Sequence, residues 1–549
     1  MGDRRTILCT DQIEITNMIR ILAENIIIPH EAGRSSEAAD TAALSSAAKK
    51  ITKQFGCEAK NLTIHRKSVD ARKKNAIKLV YSVCTDIPLT SDVFESRVDK
   101  GFKLYSEACF DVKCGTEKLC GRPVIAGFGP AGIFCALALA ERGYRPLVYE
   151  RGGDVRRRVK AVEHFNMTGE LDTATNIQFG AGGAGTFSDG KLTTRINDPL
   201  CAYVLKKLVE LGAPKDIVTK AKPHIGTDIL IKVVEMAEEK LRELGGEVVY
   251  NSRIRVVGDD AFVHGEKIEY GVLVLSIGHS ARDTYTELIS SGYAIEPKAF
   301  SVGVRIEHLQ SELDRAMLGD FAGDPTIGHA EYALSHRNGD RGVYSFCMCP
   351  GGEVVAAASE EGGVVTNGMS RRLRDGTNSN AAIAVSVKHE DYGATPAGAI
   401  AFQRELESRA FSAGGKTYAA PMQTVGDFLS GRCGSEPSRI IPTYRNGDVV
   451  PWDLRRVLPA FVCNMLDEGL RDFGRKIKGF DASDVPLTGV ETRTSAPVRI
   501  MRGDDYTAVA HEKIYPCGEG AGYAGGIMSA AIDGLRVARA VIEKYAPLD

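Results

Sequence analysis

Apolar and polar positions along this 549-residue chain change between strand spacing and helix spacing. Near the start, Met18–Ile28 is an apolar run of strand type, and Ser36–Phe55 repeats its apolar residues every third or fourth position, as a helix does. Two stretches of alternating residues follow, Leu62–Arg66 and Ile77–Val83, and each is typical of a strand. The pattern predicts a small βαββ domain, with its linker, over residues 1–120.

A second pattern begins at residue 123 and predicts a strand, a glycine turn, a helix and a second strand that ends in an acid. Gly127 permits the tight turn after Val124–Ala126, Gly129 lets the backbone approach a pyrophosphate, and Gly132 lets the helix pack closely on the sheet. Glu150 closes the second strand at the distance typical of an acid that accepts ribose hydroxyls. The glycines and a proline that interrupt this apolar run argue against a membrane span.

This arrangement predicts a bound dinucleotide whose phosphates lie at the helix N-terminus, where unpaired amides and the helix dipole favour negative charge. Glu150 would repel a phosphorylated ribose, so FAD or NAD is expected rather than NADP. Pro130 and Ala131 in the turn, and Arg151 after the acid, belong to the same expected site. The alternative is a glycine-rich turn without a ligand.

The sequence FGAGGAGTFSDGKL, at residues 179–192, also fits the glycine spacing, but neither an apolar strand nor a helix-forming run flanks it. We therefore interpret it as a loop that lies against a flat ligand or its phosphates, with Thr186 and Ser188 as hydroxyl donors. A plain surface loop is the alternative. The cofactor contacts expected from this loop are Gly183, Ala184 and Thr186.

The end of the chain decides which dinucleotide is expected. Ile514–Cys517 is a short strand, and a glycine-rich turn then opens a helix near Ile527. This arrangement resembles two-domain flavoproteins, in which an acid at the position of Glu519 binds the ribityl chain and a helix N-terminus points at the flavin pyrimidine. NAD has no ribityl chain, so FAD is favoured. The expected contacts are Gly518, Glu519, Gly525, Gly526 and Ile527.

From Pro123 onward the chain resembles the FAD-dependent dehydrogenases of the glutathione-reductase-like superfamily, and more narrowly a bacterial family of uncharacterised FAD-dependent dehydrogenases. The resemblance is carried by VIAGFGPAG, FGAGGAGTFSDGKLTTR, KPHIGTD, VLSIGHSARDT, YSFCMCPGGEVVAAASEEGGVVTNGMS, GVETRTSAPVRI and YPCGEGAGYAGGIMSAAIDG. It implies that a backbone group of Ile254 contacts adenine and that Gly278 ends a second flavin-contacting strand. Glu519 departs from the superfamily, where many members carry Asp. The resemblance implies no substrate.

The remaining patterns fit an α/β fold. Asp228–Leu244 has helical spacing, Glu247–Asn251 and Arg253–Val257 are of strand type, and Val272–Ile277 is a continuous apolar strand. Longer strands and glycine pairs begin near Glu296. Together with the resemblance, these patterns predict a Rossmann-type FAD-binding domain with an inserted α+β substrate domain. The expected ranges are 121–295 for the first FAD-binding part, 296–480 for the substrate domain and 481–549 for the closing FAD-binding segment.

Composition narrows the class of protein. Lysine plus arginine number 69 against 71 for aspartate plus glutamate, which argues against a general nucleic-acid or membrane-surface binder. Thirteen cysteines without a regular framework fit a reducing compartment. The segment MGDRRTILCTDQIEITNM has no basic-then-apolar signal, so a cytoplasmic location is expected.

A basic segment, HRKSVDARKK at residues 65–74, is the exception to this charge balance. It could dock an acidic protein partner such as an electron carrier, or RNA, and the alternative is a solvated face. The oligomeric state is left open.

Candidate catalytic groups for a flavin enzyme that acts on a small-molecule substrate lie mainly in the substrate domain. Cys347 and Cys349 would share one face of a strand, where a thiol near the flavin could exchange electrons, and two structural thiols are the alternative. Glu360 could donate a proton, Arg493 could bind a substrate carboxylate, and His279 could relay a proton. A charged turn and a structural histidine are the alternatives. No metal site is expected, because the spacing of cysteines 109, 114 and 120 is irregular.

These observations predict an FAD-dependent oxidoreductase that transfers a hydride between flavin N5 and an organic substrate. The chain shows no second strand, glycine turn and helix for NAD(P)H. Either a nicotinamide binds transiently without its own domain, or the substrate itself delivers the electrons. The alternatives are a flavin monooxygenase, or a flavin-binding module that contacts RNA or another protein.

Overall fold

The computed structural model describes residues 18–31, 33–194 and 196–548. The chain divides into two compact units, one up to residue 107 together with 218–221, and the other formed by the remaining residues from 108 onward. The N-terminal residues 1–17, which hold most of the segment judged above for a signal peptide, lie outside the described residues.

The first unit is an antiparallel sheet with helices. Its elements are β1 (Ile19–Pro29), α1 (Ser36–Phe55), β2 (Lys60–Asp70), β3 (Lys78–Ile87), α2 (Ser91–Arg97) and β4 (Phe102–Leu104). The strand order is β2-β3-β1-β4. Helix α1 has the predicted bounds: the Ser35 hydroxyl accepts a hydrogen bond from the Ala38 amide, and Gly56 ends the helix in a left-handed conformation. The alternating patterns did not predict α2 and β4.

The second unit contains the other elements. Residues 124–297 form β5 (Val124–Ala126), α3 (Pro130–Ala140), β6 (Leu147–Tyr149), α4 (Val155–Thr168), α5 (Leu200–Glu210), α6 (Thr227–Glu243), β7 (Glu247–Val249), β8 (Ile254–Val257), β9 (Asp260–Val263), β10 (Glu266–Ile268), β11 (Leu273–Leu275), α7 (Arg282–Ser290) and β12 (Ile295–Pro297). Residues 300–544 form β13 (Phe300–Leu309), α8 (Gln310–Leu318), β14 (Ser335–Asn338), β15 (Arg341–Cys349), β16 (Gly352–Ala356), β17 (Thr366–Ser370), β18 (Asn378–Val387), α9 (Pro396–Ala413), β19 (Ala420–Thr424), α10 (Val425–Ser430), β20 (Val449–Pro451), α11 (Ala460–Lys476), β21 (Pro486–Glu491), β22 (Val498–Ile500), β23 (Ile514–Pro516) and α12 (Ile527–Lys544).

A five-stranded parallel sheet, in the order β23-β11-β5-β6-β7, organises the second unit. The chain starts in the centre at β5, moves outward through β6 to β7, and then crosses to the other side of β5 for β11 and β23. The direction of strand order therefore reverses between β5 and β11. Ligands of open parallel sheets bind at the carboxyl ends of the strands at such a reversal.

Both faces of this sheet are covered, which explains why its central strands are apolar throughout. Helices α3, α6 and α12 pack in one core, and the three-stranded sheet β10-β9-β8 packs against the other face. Val124–Ala126 and Leu273–Leu275 are accordingly buried at every position.

Helices α3 and α12 approach each other closely because both carry small residues where they meet. A Cβ atom added to Gly534 of α12 would lie 2.2 Å from the Ala131 carbonyl oxygen of α3. Ten of the eleven residues of α3 are buried, so this helix has little room to shift away.

The second large sheet has seven strands in the order β14-β15-β18-β13-β21-β19-β20. Its pairs are antiparallel apart from β19 with β20. The register of β15 against β18 shifts between Phe346 and Cys349, which marks a bulge.

Among the described residues, no helix has the length and apolar character needed to cross a membrane.

We predict that Gly534→Ala destabilises the second unit by about 2 kcal/mol, because the new methyl group meets a backbone carbonyl rather than a flexible side chain. The free energy of unfolding in urea measures the effect. Gly342→Ala is the control, because its Cβ would have only ordinary contacts, the nearest at 3.8 Å. Equal stability of the two variants would contradict the close approach of α3 and α12.

Candidate functional site

A cavity of about 370 Å³ lies where the strand order of the parallel sheet reverses. The loops after β5 and β11 line it from the parallel sheet, and residues of β15, β17 and β21 line it from the seven-stranded sheet. The cavity brings together most of the residues predicted to bind the cofactor, which are Gly127, Gly129, Pro130, Ala131, Glu150, Arg151, Gly183, Ala184, Ile254, Gly278, Glu519, Gly525, Gly526 and Ile527. Gly132, Thr186 and Gly518 lie outside its lining.

The glycine turn after β5 is shaped by two close backbone approaches. Gly127 has a φ of +104°, and a Cβ there would lie 2.5 Å from the Ser276 carbonyl oxygen. A Cβ on Gly132 would lie 2.0 Å from the Gly127 carbonyl oxygen. At Gly129 the nearest atom would be 3.6 Å away, so this position has room for a methyl group and faces the cavity. Helix α3 starts there without a side-chain cap, which leaves its first amides open.

The Glu150 carboxylate joins three backbone segments beside this turn. Its Oε2 accepts a hydrogen bond from the Phe128 amide at 2.8 Å, and its Oε1 accepts from the amides of Gly152 and Gly180 at 2.9 and 3.0 Å. A carboxylate has about four acceptor positions, so one position on Oε2 is left for a ligand.

Arg158, which the sequence analysis did not single out, holds the glycine-rich loop in place. This side chain is completely buried, and burial lowers the pKa of its guanidinium to about 9. Its guanidinium lies over the Phe187 ring, 4.8 Å from the centroid. It donates to the carbonyl oxygens of Asn176, Ile177, Gly180, Ala181 and Gly183. The five carbonyls come from irregular backbone just before a short 3₁₀ helix, Ala184–Phe187, and one guanidinium supplies donors to all of them.

The start of α12 forms the opposite end of the cavity. Gly526 precedes the helix with a φ of +123° and without a side-chain cap, and no atom lies within 4 Å of the Cβ positions of Gly525 and Gly526. Gly525, Gly526 and Ile527 line the cavity, and the Gly525 amide donates to the Ser529 hydroxyl at 3.0 Å. Burial raises the pKa of the nearby Glu519 carboxyl to about 7, although the Lys298 ammonium and the Gly526 amide oppose this shift.

Cys347 is exposed to the cavity by a backbone irregularity. It has a φ of +44°, which is unusual for a residue other than glycine, and it lies in the bulge of β15. Cys347 lines the cavity, whereas Cys349 is fully buried and its thiol donates to the Cys347 carbonyl oxygen at 3.3 Å. Cys347 and Cys349 therefore differ in exposure, although the Cys349 thiol remains a hydrogen-bonding neighbour of Cys347, and their exchange of electrons with a flavin stays a prediction.

Arg305, also not identified from the sequence, fixes this bulge. Its buried guanidinium makes two hydrogen bonds of 2.9 Å to the Glu491 carboxylate and one of 3.0 Å to the Cys347 carbonyl oxygen. It also donates to the side-chain oxygens of Asn367 and Asn380. The Cys349 thiol and the charge of Arg305 hold the pKa of Cys347 below its usual range.

Arg493 and His279 both line the cavity. Arg493 binds the two oxygens of Glu407 at 3.1 and 2.9 Å and also donates to Ser359, so much of its guanidinium is already engaged. Burial, with the charges of Arg493 and Arg282, lowers the pKa of His279 to about 3. His279 is therefore neutral at ordinary pH, and its Nε2 has no hydrogen-bond partner among the described residues.

Glu360 lies outside the cavity lining, where it joins two arginines. Its carboxylate accepts from Arg282 at 2.7 Å and from Arg404 at 2.6 Å, and these charges lower its pKa. An ionised carboxylate in this position stabilises the arginines and has no proton to donate near neutral pH.

We predict that Cys347 is alkylated by iodoacetamide at a rate that already approaches its plateau near pH 7, because its thiolate forms at lower pH than that of an ordinary thiol. Peptide mass spectrometry at a series of pH values measures the rate. Cys433 is the internal control. It is exposed, its slight burial raises the pKa of its thiol, and its alkylation rate should reach a plateau at higher pH. Equal pH profiles for the two thiols would contradict the lowered pKa of Cys347.

Two family models and one relative match this chain. Residues 299–494 match the family model described as FAD-dependent protein, C-terminal domain-like, and residues 18–85 match a domain of unknown function (DUF8436). An uncharacterized protein of Clostridium beijerinckii is 46% identical over 510 residues, which cover 90% of this chain and 96% of that protein.

Solved structures of flavoproteins show a more distant similarity. The glycine oxidase from Geobacillus kaustophilus is 11% identical, with 78% of this chain and 96% of that chain covered and a TM-score of 0.33. CtdE in complex with FAD is also 11% identical, with 77% and 84% covered and a TM-score of 0.31.

Proposed function

The chain belongs to the family of FAD-dependent proteins that includes the Clostridium beijerinckii protein, and we propose that it is an FAD-dependent oxidoreductase that transfers a hydride between flavin and an organic substrate. The observation that carries this proposal is one cavity onto which two uncapped helix starts open, at Gly129 and at Gly526. A flavin dinucleotide carries negative charge at its pyrophosphate and, when it is reduced, on its flavin ring. A helix start that stabilises an anion is therefore expected at each of these two places.

The residues present fit this cofactor. Gly129 leaves room for a pyrophosphate beside the amides of α3, and the free position of Glu150 Oε2 can accept one ribose hydroxyl. Glu519 would bind the ribityl chain, and the amides at the start of α12 would stabilise negative charge on the flavin pyrimidine. Ile254, buried at the cavity edge, would lie near adenine.

This assignment implies a division of labour along the chain. The expected boundary at residue 480 moves to about residue 494, because β21 (Pro486–Glu491) pairs with β13 and β19 in the seven-stranded sheet. Residues 121–295 and 495–549 would bind the cofactor in a Rossmann-type domain, residues 296–494 would bind the substrate, and residues 1–120 would form a separate N-terminal domain. The match of residues 299–494 to a family model supports a substrate domain in this region.

The bound flavin would supply the hydride acceptor or donor, and the protein supplies the surroundings. The cavity wall formed by Cys347, Asn367 and Glu491 would orient the substrate, because the Arg305 hydrogen bonds hold all three in place. Neutral His279 offers an unpaired Nε2 to a ligand group.

Anaerobic mixing of the purified holoprotein with candidate organic substrates, and separately with NADH and NADPH, tests the reaction. Loss of the visible flavin absorbance on mixing with a substrate is the expected result. Reduction by a nicotinamide would identify it as the electron donor.

We predict that Gly129→Ala lowers the affinity for FAD about tenfold, because the methyl group occupies the space where the pyrophosphate approaches the backbone. The fold should be kept, since the nearest atom would be 3.6 Å from the new Cβ. The flavin content after reconstitution and the unfolding midpoint of the apoprotein measure the two effects.

Gly342→Ala is the matched control, because it has similar space and lies outside the cavity lining. Its flavin content should equal that of the wild type. Wild-type protein that takes up no FAD would refute the proposed function, and a Gly129→Ala variant with normal flavin content would refute the assigned position of the pyrophosphate.

A further inference from the structure

Lys191 is the cation of the cavity wall with the weakest pairing. Its side chain is 25% exposed, and its Nζ lies 3.9 Å from the Asp189 carboxylate. Within the described parts of the chain, Lys191 Nζ donates no hydrogen bond to a protein acceptor. The ammonium therefore keeps protons that water or a ligand anion can accept from the cavity.

Asp189 does not neutralise Lys191, because it is already paired on its other side. Arg374 donates to both Asp189 oxygens, at 3.0 and 2.6 Å, and the Ser370 hydroxyl donates to one of them. Arg374 also binds Glu331 at 2.6 Å, so its charge is shared between two carboxylates, and Lys191 keeps only its long ion pair to Asp189.

The other cations of the cavity lining each have a carboxylate at short distance. Arg151 lies 2.5 Å from Asp283, Arg253 lies 2.7 Å from Glu287, and Arg493 lies 2.9 Å from Glu407. Since the charges of these guanidiniums are paired, the positive charge of Lys191 is the least compensated of the four toward an incoming anion.

Lys191 lies at the end of the cavity that Cys347 lines. The ammonium is one of the charges that lower the pKa of Cys347, and it also acts on Cys349 and Glu331. Of these three groups, Cys347 lines the cavity, on the wall that faces the proposed substrate.

We propose that Lys191 binds a carboxylate of the substrate and holds it beside Cys347, so that the substrates of this protein are organic acids. The inference rests on the proposed function and names its substrate class. A monoanion fits better than a phosphate dianion, because one ammonium faces the ligand and the arginines of the cavity lining are already paired with carboxylates.

Cys347 provides a probe of this site that does not depend on enzymatic activity. Iodoacetate and iodoacetamide both form a carbon–sulfur bond with the thiolate and release iodide, and they differ in that only iodoacetate carries a carboxylate. The ratio of the two alkylation rates at Cys347, measured on the holoprotein by peptide mass spectrometry, reports the attraction of a carboxylate. The ratio cancels changes in the nucleophilicity of Cys347 itself.

We predict that the wild type favours iodoacetate and that Lys191→Met lowers the ratio of iodoacetate to iodoacetamide rates about tenfold, as expected for one lost charge-assisted hydrogen bond. Lys191→Arg should retain the preference. Lys222→Met is the control, because Lys222 is 67% exposed, pairs with Glu331 at 3.3 Å and lies outside the cavity lining.

Three results would overturn the inference: an unchanged ratio in Lys191→Met, a Cys347 that neither reagent reaches, or a loss of flavin in Lys191→Met with an unchanged ratio. The third would assign Lys191 to the phosphates of the cofactor. Failure of the proposed function is recognised separately, by wild-type protein that binds no FAD, and the alkylation ratio of that protein still decides whether Lys191 attracts a carboxylate.

Discussion

The cavity depends on one buried carboxylate, that of Glu150. It accepts hydrogen bonds from the amides of Phe128, Gly152 and Gly180, which come from the turn after β5, the turn after β6 and the glycine-rich loop. A buried charge is stable when hydrogen bonds replace its water, and here the backbone supplies them. One side chain thus positions three loops before any ligand arrives, and it keeps a single acceptor position for that ligand.

Buried arginines perform the complementary task for backbone carbonyl oxygens. Arg158 donates to carbonyls of irregular backbone in the glycine-rich loop, and Arg305 donates to the Cys347 carbonyl in the bulge while it binds Glu491. Irregular backbone around a ligand site leaves acceptors without partners, and a guanidinium offers five donors in a fixed plane. These guanidiniums are therefore not available to a ligand. Lys191 of the cavity lining is the cation that remains available.

Several features could be predicted from the sequence because they depend on local rules. The strand, glycine turn and helix at Val124–Ala126 and Pro130–Ala140, and helix α1 with its Gly56 stop, follow from hydrophobic spacing and from the conformations that glycine allows. The sequence also predicts that two glycine turns about four hundred residues apart bind one ligand, and the structure places Gly129 and Gly526 on one cavity. Other features could not be read in this way. The bulge that separates Cys347 from Cys349 depends on pairing with β18, a strand about thirty residues further along the chain.

The sequence alone determined where helix α1, the strands β5 and β11 and the glycine turns lie, because each depends on residues close together in the chain, whereas α2 and β4 did not follow from it. It also determined the kind of ligand expected, through the pairing of a glycine turn with acids at Glu150 and Glu519. Only the tertiary structure decided which charged groups remain open to a ligand. Arg493 and Glu360 looked available in the sequence, yet distant partners engage both of them, and Lys191 is left with one loose ion pair. Ion pairing is set by distances in space between residues that are far apart in the chain, and no local pattern records those distances.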